Sequence, residues 1–228
     1  MRKLSQKLEK PRQLNTQELK AKCNDLYYQI NDGIDYIISF SDHYQNYAVG
    51  IVDIVNSSHT TASLTNGRAC KYYSIFLNSM ATVIRRFNGK VVKNVGDSLL
   101  YYFPNTSSYE NVLAFQDILD CGLAMIGVND IINKKLHEAG LPPLCYRISA
   151  DYGSVMIARS VSSYDDDLFG SPVNMCAKIN PCAPPNRMVI GHDLYRIIKP
   201  YAGYSFKELQ GCSIGFKNRY PVYLTYST

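Results

Sequence analysis

The chain reads as an α+β domain, an antiparallel or mixed sheet with helices packed on one face. Three observations predict it. Apolar, β-branched runs come in pairs about short turns, Lys90–Val95 with Ser98–Phe103 and Tyr146–Asp151 with Val155–Arg159, which is the mark of hairpins. Stretches with apolar residues at helical spacing stand between those pairs. The resulting order, βα-ββ-α-ββ-α-β, favours helices on one side of an antiparallel or mixed sheet.

Residues 1–16 are polar and basic, with Pro11, and read as a loosely attached arm. From Thr16, a candidate N-cap, to about Phe40, apolar residues recur at Leu19, Cys23, Leu26, Tyr27, Ile30, Ile34, Ile37 and Ile38. That stripe predicts a packing helix. Tyr47–Val55 is a buried strand, and Gly67–Phe87 an amphipathic helix with Tyr72, Ile75, Phe76, Met80, Val83 and Ile84 on one side. Asn88-Gly89 marks a turn. The first hairpin closes at Gly96-Asp97. Glu110–Gly140 predicts one long helix, stopped by Leu141-Pro142-Pro143. The second hairpin turns at Tyr152-Gly153, and Ser160–Asp167 is a polar, acidic loop. Pro172–Ile179 is a short helix, Met188–Gly191 a strand, His192–Ile198 a helix, and Ser205–Leu209 and Val222–Tyr226 closing strands. Residues 1–42 thus form a basic arm and lead-in helix, and 43–228 the domain proper.

The 228 residues, 46% hydrophobic and 19% charged, suffice for one large domain with a normal core. The net charge of +5 lies wholly in residues 1–22, which hold seven Lys/Arg against Glu9 and Glu18. The body therefore offers no electrostatic footprint for nucleic acid, and a basic arm of this kind is ordinarily a solvated terminus. No run of 18 apolar residues is present, so no membrane-spanning helix is expected. The seven cysteines are odd in number, scattered, and without Cys-x-x-Cys. They read as reduced, mostly buried thiols of a cytoplasmic protein. The four histidines share no metal-ligand spacing.

Two aspartates carry the chemistry. Asp53 ends the run Val52-Asp53-Ile54, and Asp97 ends Lys93-Asn94-Val95-Gly96-Asp97. A carboxylate buried without a partner costs several kcal/mol. Two at adjacent strand ends call for a counter-charge such as Mg²⁺ with a triphosphate. Taken singly, Asp53 also reads as a helix cap and Asp97 as a turn residue. A third stretch, Asp167-Leu168-Phe169-Gly170-Ser171-Pro172-Val173-Asn174-Met175-Cys176-Ala177-Lys178, places Asn174 and Lys178 four apart on one helix face.

Together and in this order, the three stretches resemble the catalytic domain of class III adenylyl and guanylyl cyclases, over about Tyr47–Tyr226. The resemblance implies a ferredoxin-like fold working as a head-to-tail homodimer, with an upstream sensor domain or protein as a further partner. It implies that Asp53, Asp97 and the Ile54 carbonyl hold two Mg²⁺ or Mn²⁺ per active site. Ser57 and Ser58 fall in the phosphate loop, where the family usually shows Gly-Phe-Thr and this chain has Asn56-Ser57-Ser58. Lys93 and Asp167 stand where the family reads the base. A donor and an acceptor match N1 and N6 of adenine, so ATP is the implied substrate; guanine reverses both groups. Cytosine presents the same edge as adenine, which leaves CTP open. Lys93 is otherwise an exposed strand lysine, and Asp167 one of three consecutive acids. Asn174 and Lys178 correspond to the asparagine and arginine that orient ribose and steady charge on the α-phosphate. Lysine keeps the charge and loses the planar fork, which implies a slower enzyme. Lys217 and Arg187 fall where further phosphate contacts sometimes lie. The implied activity is conversion of ATP to 3′,5′-cyclic AMP and pyrophosphate in signal transduction. The alternatives are a weakened homology module that binds nucleotide or dimerises, or a cyclase using CTP or GTP.

Overall fold

The computed structural model describes residues 15–32, 38–160, 166–212 and 220–228. The chain divides into two units, residues 1–37 and 38–228. Of the first, the helix α1 (Thr16–Asp32) is described. Asn15 Oδ1 accepts from the N–H groups of Gln17 and Glu18 and starts it. The expected helix runs only to Asp32. From Ile38 the chain is strand, because Ile38–Phe40 enter a ladder with Ala158–Ser160 and tertiary pairing overrides local spacing. Ile34 and Ile37 lie outside the described residues.

The second unit contains β1 (Ile38–Ile54), α2 (Ser57–Ala62), α3 (Asn66–Arg86), β2 (Lys90–Val95), β3 (Ser98–Phe103), α4 (Val112–Gly127) and α5 (Asn129–Glu138). There follow β4 (Tyr146–Ser160), β5 (Asp166–Gly170), α6 (Ser171–Ile179), β6 (Arg187–Gly191), α7 (His192–Ile198), β7 (Tyr204–Glu208) and β8 (Val222–Ser227). The strands form one mixed sheet in the order β2-β3-β1-β4-β6-β8-β7, with β5 paired to β4. All ladders are antiparallel except β4 with β6. The α+β class expected from the element order is what the chain adopts.

Three expected elements take a different form. Glu110–Gly140 is two helices that meet at Val128. The expected hairpin turn at Tyr152-Gly153 is absent: β4 runs straight through, with Tyr152 opposite Ala48 and Gly153 opposite Tyr47. Gly153 keeps an ordinary φ, and a long β1 gives its backbone partners throughout. The acidic segment before Gly170 holds a short strand, β5, where a loop was expected.

Period-two alternation decides which side chains meet which helices. On one face Ala48, Val52 and Ile54 of β1, Leu99, Tyr101 and Phe103 of β3, Tyr146, Ile148, Ala150 and Tyr152 of β4, and Met188 and Ile190 of β6 enter the main core. Tyr72, Phe76, Met80 and Ile84 of α3, with residues of α4, α5 and α7, close it. The odd-numbered residues of β1 and β4 face the other way. There Tyr47, Val49, Leu100, Val155, Leu168 and Cys176 form a second, smaller cluster, and α6 is the helix over it. No single helix among the described residues is long and apolar enough to cross a membrane.

One cysteine expectation is corrected. Cys182 and Cys212 form a disulfide, because the turn after α6 and the β7–β8 connection bring their Cα atoms to 5.7 Å. Of the five free thiols, Cys121 and Cys176 are buried, whereas Cys23, Cys70 and Cys145 are exposed.

Candidate active site

The face of the sheet that α6 covers only in part carries most of the candidate residues. Asp53 belongs to it by alternation, one residue past buried Val52 and one before buried Ile54. Its neighbours across the ladders are Ser98 on β3 and Arg147 on β4. Arg147 was not singled out in the sequence. The signal was there: Tyr146, Ile148, Ala150 and Tyr152 alternate with Arg147, Ser149 and Asp151, so all three polar residues share the face of Asp53. Arg147 Nε donates to the Ala183 carbonyl at 2.8 Å, which fixes the guanidinium beside the carboxylate.

Burial, reinforced by the neighbouring Asp97 and opposed by Arg147, pushes the Asp53 carboxyl up to about 6. A raised carboxyl holds its proton more tightly in the folded chain. Its contribution therefore favours the fold fully below the ordinary carboxylate range and is lost as pH rises through 6. Asp53→Asn should raise stability at pH 8 by about 1 kcal/mol, a figure discounted because the group is only half-buried. The gain should vanish near pH 4; melting curves of both proteins across that range check it.

Asp97 is half-buried in the two-residue turn between β2 and β3, where Gly96 supplies φ +62°. Four residues earlier, Lys93 is brought onto the site face by a bulge. Val91 pairs with Tyr101 but Lys93 with Leu100, so Val92 is the extra residue. Lys93 Nζ forms an ion pair with Asp167 of β5. The other Asp167 oxygen accepts from the Leu168 N–H at 2.8 Å. Two elements far apart in sequence thus meet through the two residues expected to read a base.

Gly170 joins β5 to α6. A Cβ there would stand 2.4 Å from the Ser154 carbonyl oxygen, so only glycine permits this approach. Pro172 in the first turn of α6 suits a helix start. Asn174 follows, exposed. Asp53, Lys93, Asp167, Asn174, Ser98 and Asn180 line one open cleft of about 470 Å³ with Ile51, Leu100, Val173 and Pro181. Val95 and Phe169, 57% and 40% exposed, also stand at its wall.

Not every expected residue joins the cleft. Lys178 is exposed on α6 one turn after Asn174 and does not line it. Arg187 begins β6 opposite Arg147, exposed and outside the cleft. Ile54 is buried at the end of β1. Ser57, buried, and Ser58, exposed, begin α2 after Asn56, which adopts the left-handed conformation at φ 55°. Asparagine tolerates that conformation better than most residues, so the loop keeps a tight path without the usual glycine. Lys217 lies outside the described residues. Tyr220, the next described residue, donates from its Oη to Asp151 at 2.7 Å. Asp151 also accepts from the Leu194 N–H at 3.2 Å. Burial pushes its carboxyl up to about 6 against those bonds.

Among the described residues no group of three His, Cys, Asp or Glu side chains gathers for a metal ion. Asp53 and Asp97 nevertheless fit a divalent cation shared with a triphosphate, since each raises the need for positive charge at the other.

Comparisons with known proteins bear on the family and the fold. The family described as the adenylate and guanylate cyclase catalytic domain matches residues 40–225. A cytidylate cyclase of Staphylococcus aureus is 23% identical over 190 residues, 80% of this chain. The chain spans only 45% of that relative's length. The crystal structure of the adenylyl cyclase CyaB from P. aeruginosa superposes with a TM-score of 0.73 at 18% identity, covering 82% of this chain and 96% of that one. The guanylate cyclase domain of RhGC from Catenaria anguillulae, solved with GTP, gives 0.69 at 14% identity, covering 81% and 98%. The chain belongs to the adenylate and guanylate cyclase catalytic domain family.

Proposed function

We propose that this chain converts ATP to 3′,5′-cyclic AMP and pyrophosphate, at sites shared between two head-to-tail copies. The observation that carries the substrate is the Lys93–Asp167 pair in the cleft wall. Adenine shows a lone pair at N1 for the ammonium and an amine at N6 for the carboxylate. Guanine would leave both groups mismatched beneath the bound base. A second reading is CTP, because cytosine shows the same lone pair and amine at N3 and N4, and a cytidylate cyclase is among the relatives.

The 3′-oxygen attacks the α-phosphorus in line, the bond from that phosphorus to the bridging oxygen breaks with its electron pair leaving on pyrophosphate, and the 3′-hydroxyl proton passes to water. Asn174 orients the ribose. Lys178 and Arg147 steady negative charge on the phosphates, with Lys217, Arg187 and the Ser57-Ser58 loop as outer contacts. Asp53, Asp97 and the Ile54 carbonyl would hold the divalent cations, two Mg²⁺ or Mn²⁺. When bound, these supply activation of the 3′-hydroxyl and neutralisation of the triphosphate. Two copies are invoked because Val95 and Phe169 leave apolar surface bare at the cleft wall. The cytoplasm is the proposed location, and an upstream sensor the proposed input.

Lys178→Arg should raise kcat about tenfold, since a planar fork holds a phosphate better than a point charge. Initial rates at saturating nucleotide measure it. The function itself is tested by incubating the protein with ATP, CTP, GTP and UTP, each with Mg²⁺ or Mn²⁺, and identifying products by mass. Cyclic AMP supports the first reading and cyclic CMP the second. Nucleotide binding without any cyclic product means a binding module instead.

A further inference from the structure

Asn180 follows α6 directly and is 4% exposed. Its Nδ2 lies 3.4 Å from the Ile51 carbonyl, 3.4 Å from the Arg147 carbonyl and 3.2 Å from Ser149 Oγ. Ile51 stands two residues before Asp53 on β1, and Arg147 is the ladder partner of Asp53 on β4. Three acceptors around one end of the carboxamide settle that end as the nitrogen. Ser149, fully buried, spends its single hydroxyl proton on the Cys176 carbonyl of α6 at 2.9 Å. Cys176 Sγ in turn donates to the Val49 carbonyl at 3.3 Å. Three polar side chains therefore tie α6 to β1 and β4 at defined heights.

Apolar packing alone would hold a nine-residue helix on a sheet, but with freedom to slide. A buried polar network is costly unless every member is paired, and when paired it selects one register. This network lies between the strands that carry Asp53 and Arg147 and the helix that carries Asn174 and Lys178. We propose that Asn180 is a positioning residue that sets the register of α6 on β1 and β4, and through it the place of Asn174 and Lys178 on the face offered to a second copy. The inference rests on the cyclase reading for its consequence in turnover, but not for the register itself.

Asn180→Asp keeps the shape and turns two donors into a carboxylate facing three acceptors. It should lower kcat about 10²-fold, the effect of displacing a reacting group by about 1 Å, with KM for the nucleotide little changed. Lowering the pH should restore part of the rate, because the protonated acid is again a donor. In an Asn174→Ala background the same change should cost less than about threefold further, since the helix has then lost what it positions. A merely structural role would cost the same factor in both backgrounds and overturn the proposal. Hydrogen exchange of the nucleotide-free protein gives a readout free of turnover. The α6 amides should exchange at least about tenfold faster in Asn180→Asp, with those of α3 unchanged. If Asn180→Asp does not fold, Ser149→Ala, which removes one link, carries the same test with a smaller loss. Unchanged kcat and unchanged α6 protection would overturn the assignment. If the parent protein forms no cyclic nucleotide, the cyclase reading fails and the register is judged on exchange alone.

Discussion

Asp97→Ala lowers cyclic-nucleotide formation by about 10³-fold or more, the scale expected when a group that stabilises transition-state charge is lost. The residue sits in the Gly96-Asp97 turn, half-buried, with apolar packing assigned to its neighbours Leu99 and Leu100. Its removal leaves no cavity, so stability should stay within about 0.5 kcal/mol of the parent. Asp53→Ala should abolish turnover equally, but with unchanged or improved stability at neutral pH, because a carboxylate that burial disfavours has gone. Initial rates with Mg²⁺ and with Mn²⁺, beside melting curves, separate the two effects. Full turnover in either folded variant would remove the carboxylates from the mechanism.

The second large effect concerns the base. Lys93→Glu combined with Asp167→Asn reverses the donor and acceptor that the cleft presents. Guanine then meets an acceptor at N1–H and a donor at O6, and adenine, although the carboxamide oxygen can still face N6, sets its N1 lone pair against a carboxylate. The ratio of kcat/KM for ATP over GTP should fall by about 10⁴, the discrimination available to a site that leaves buried polar groups unpaired with the wrong substrate. UTP, whose edge resembles guanine in this respect, should gain as well. Lys93→Ala alone should weaken ATP use without admitting GTP, since it leaves Asp167 without its ion-pair partner. An unchanged ATP-to-GTP ratio in the double variant would mean that the pair is a structural tie between β2 and β5.

The sequence was most legible where local and tertiary preferences agree. The β2–β3 hairpin was placed to the residue, because its apolar alternation and its Gly-Asp turn point the same way. It was least legible where tertiary pairing decides. Ile38–Phe40 share helical spacing with the residues before them and become strand only because β4 reaches them. Gly153 looks like a turn until β1 is seen to run opposite it. The Lys93–Asp167 pair was expected from motif spacing, but the bulge that aims Lys93 was not, since a bulge leaves no mark in composition. Arg147 was overlooked because a lone arginine in a strand is usually solvated; only the face it shares with Asp53 sets it apart. The Cys182–Cys212 bond could not be read from spacing, as the two lie 30 positions apart with two strands and a helix between them whose packing brings the ends together.

In one chain the cleft holds both halves of the site, Asp53 together with Lys93, Asp167 and Asn174. The central claim is that catalysis uses the metal half of one copy and the base half of another. The direct measurement mixes two inactive proteins, Asp97→Ala and Asn174→Ala, lets them exchange subunits, and follows cyclic-nucleotide formation. In a two-fold dimer each mixed pair contains one intact site, so equal mixing should restore about a quarter of the parent rate. A mixture as inactive as its components, from proteins shown to exchange, would place each site within a single chain and contradict the account.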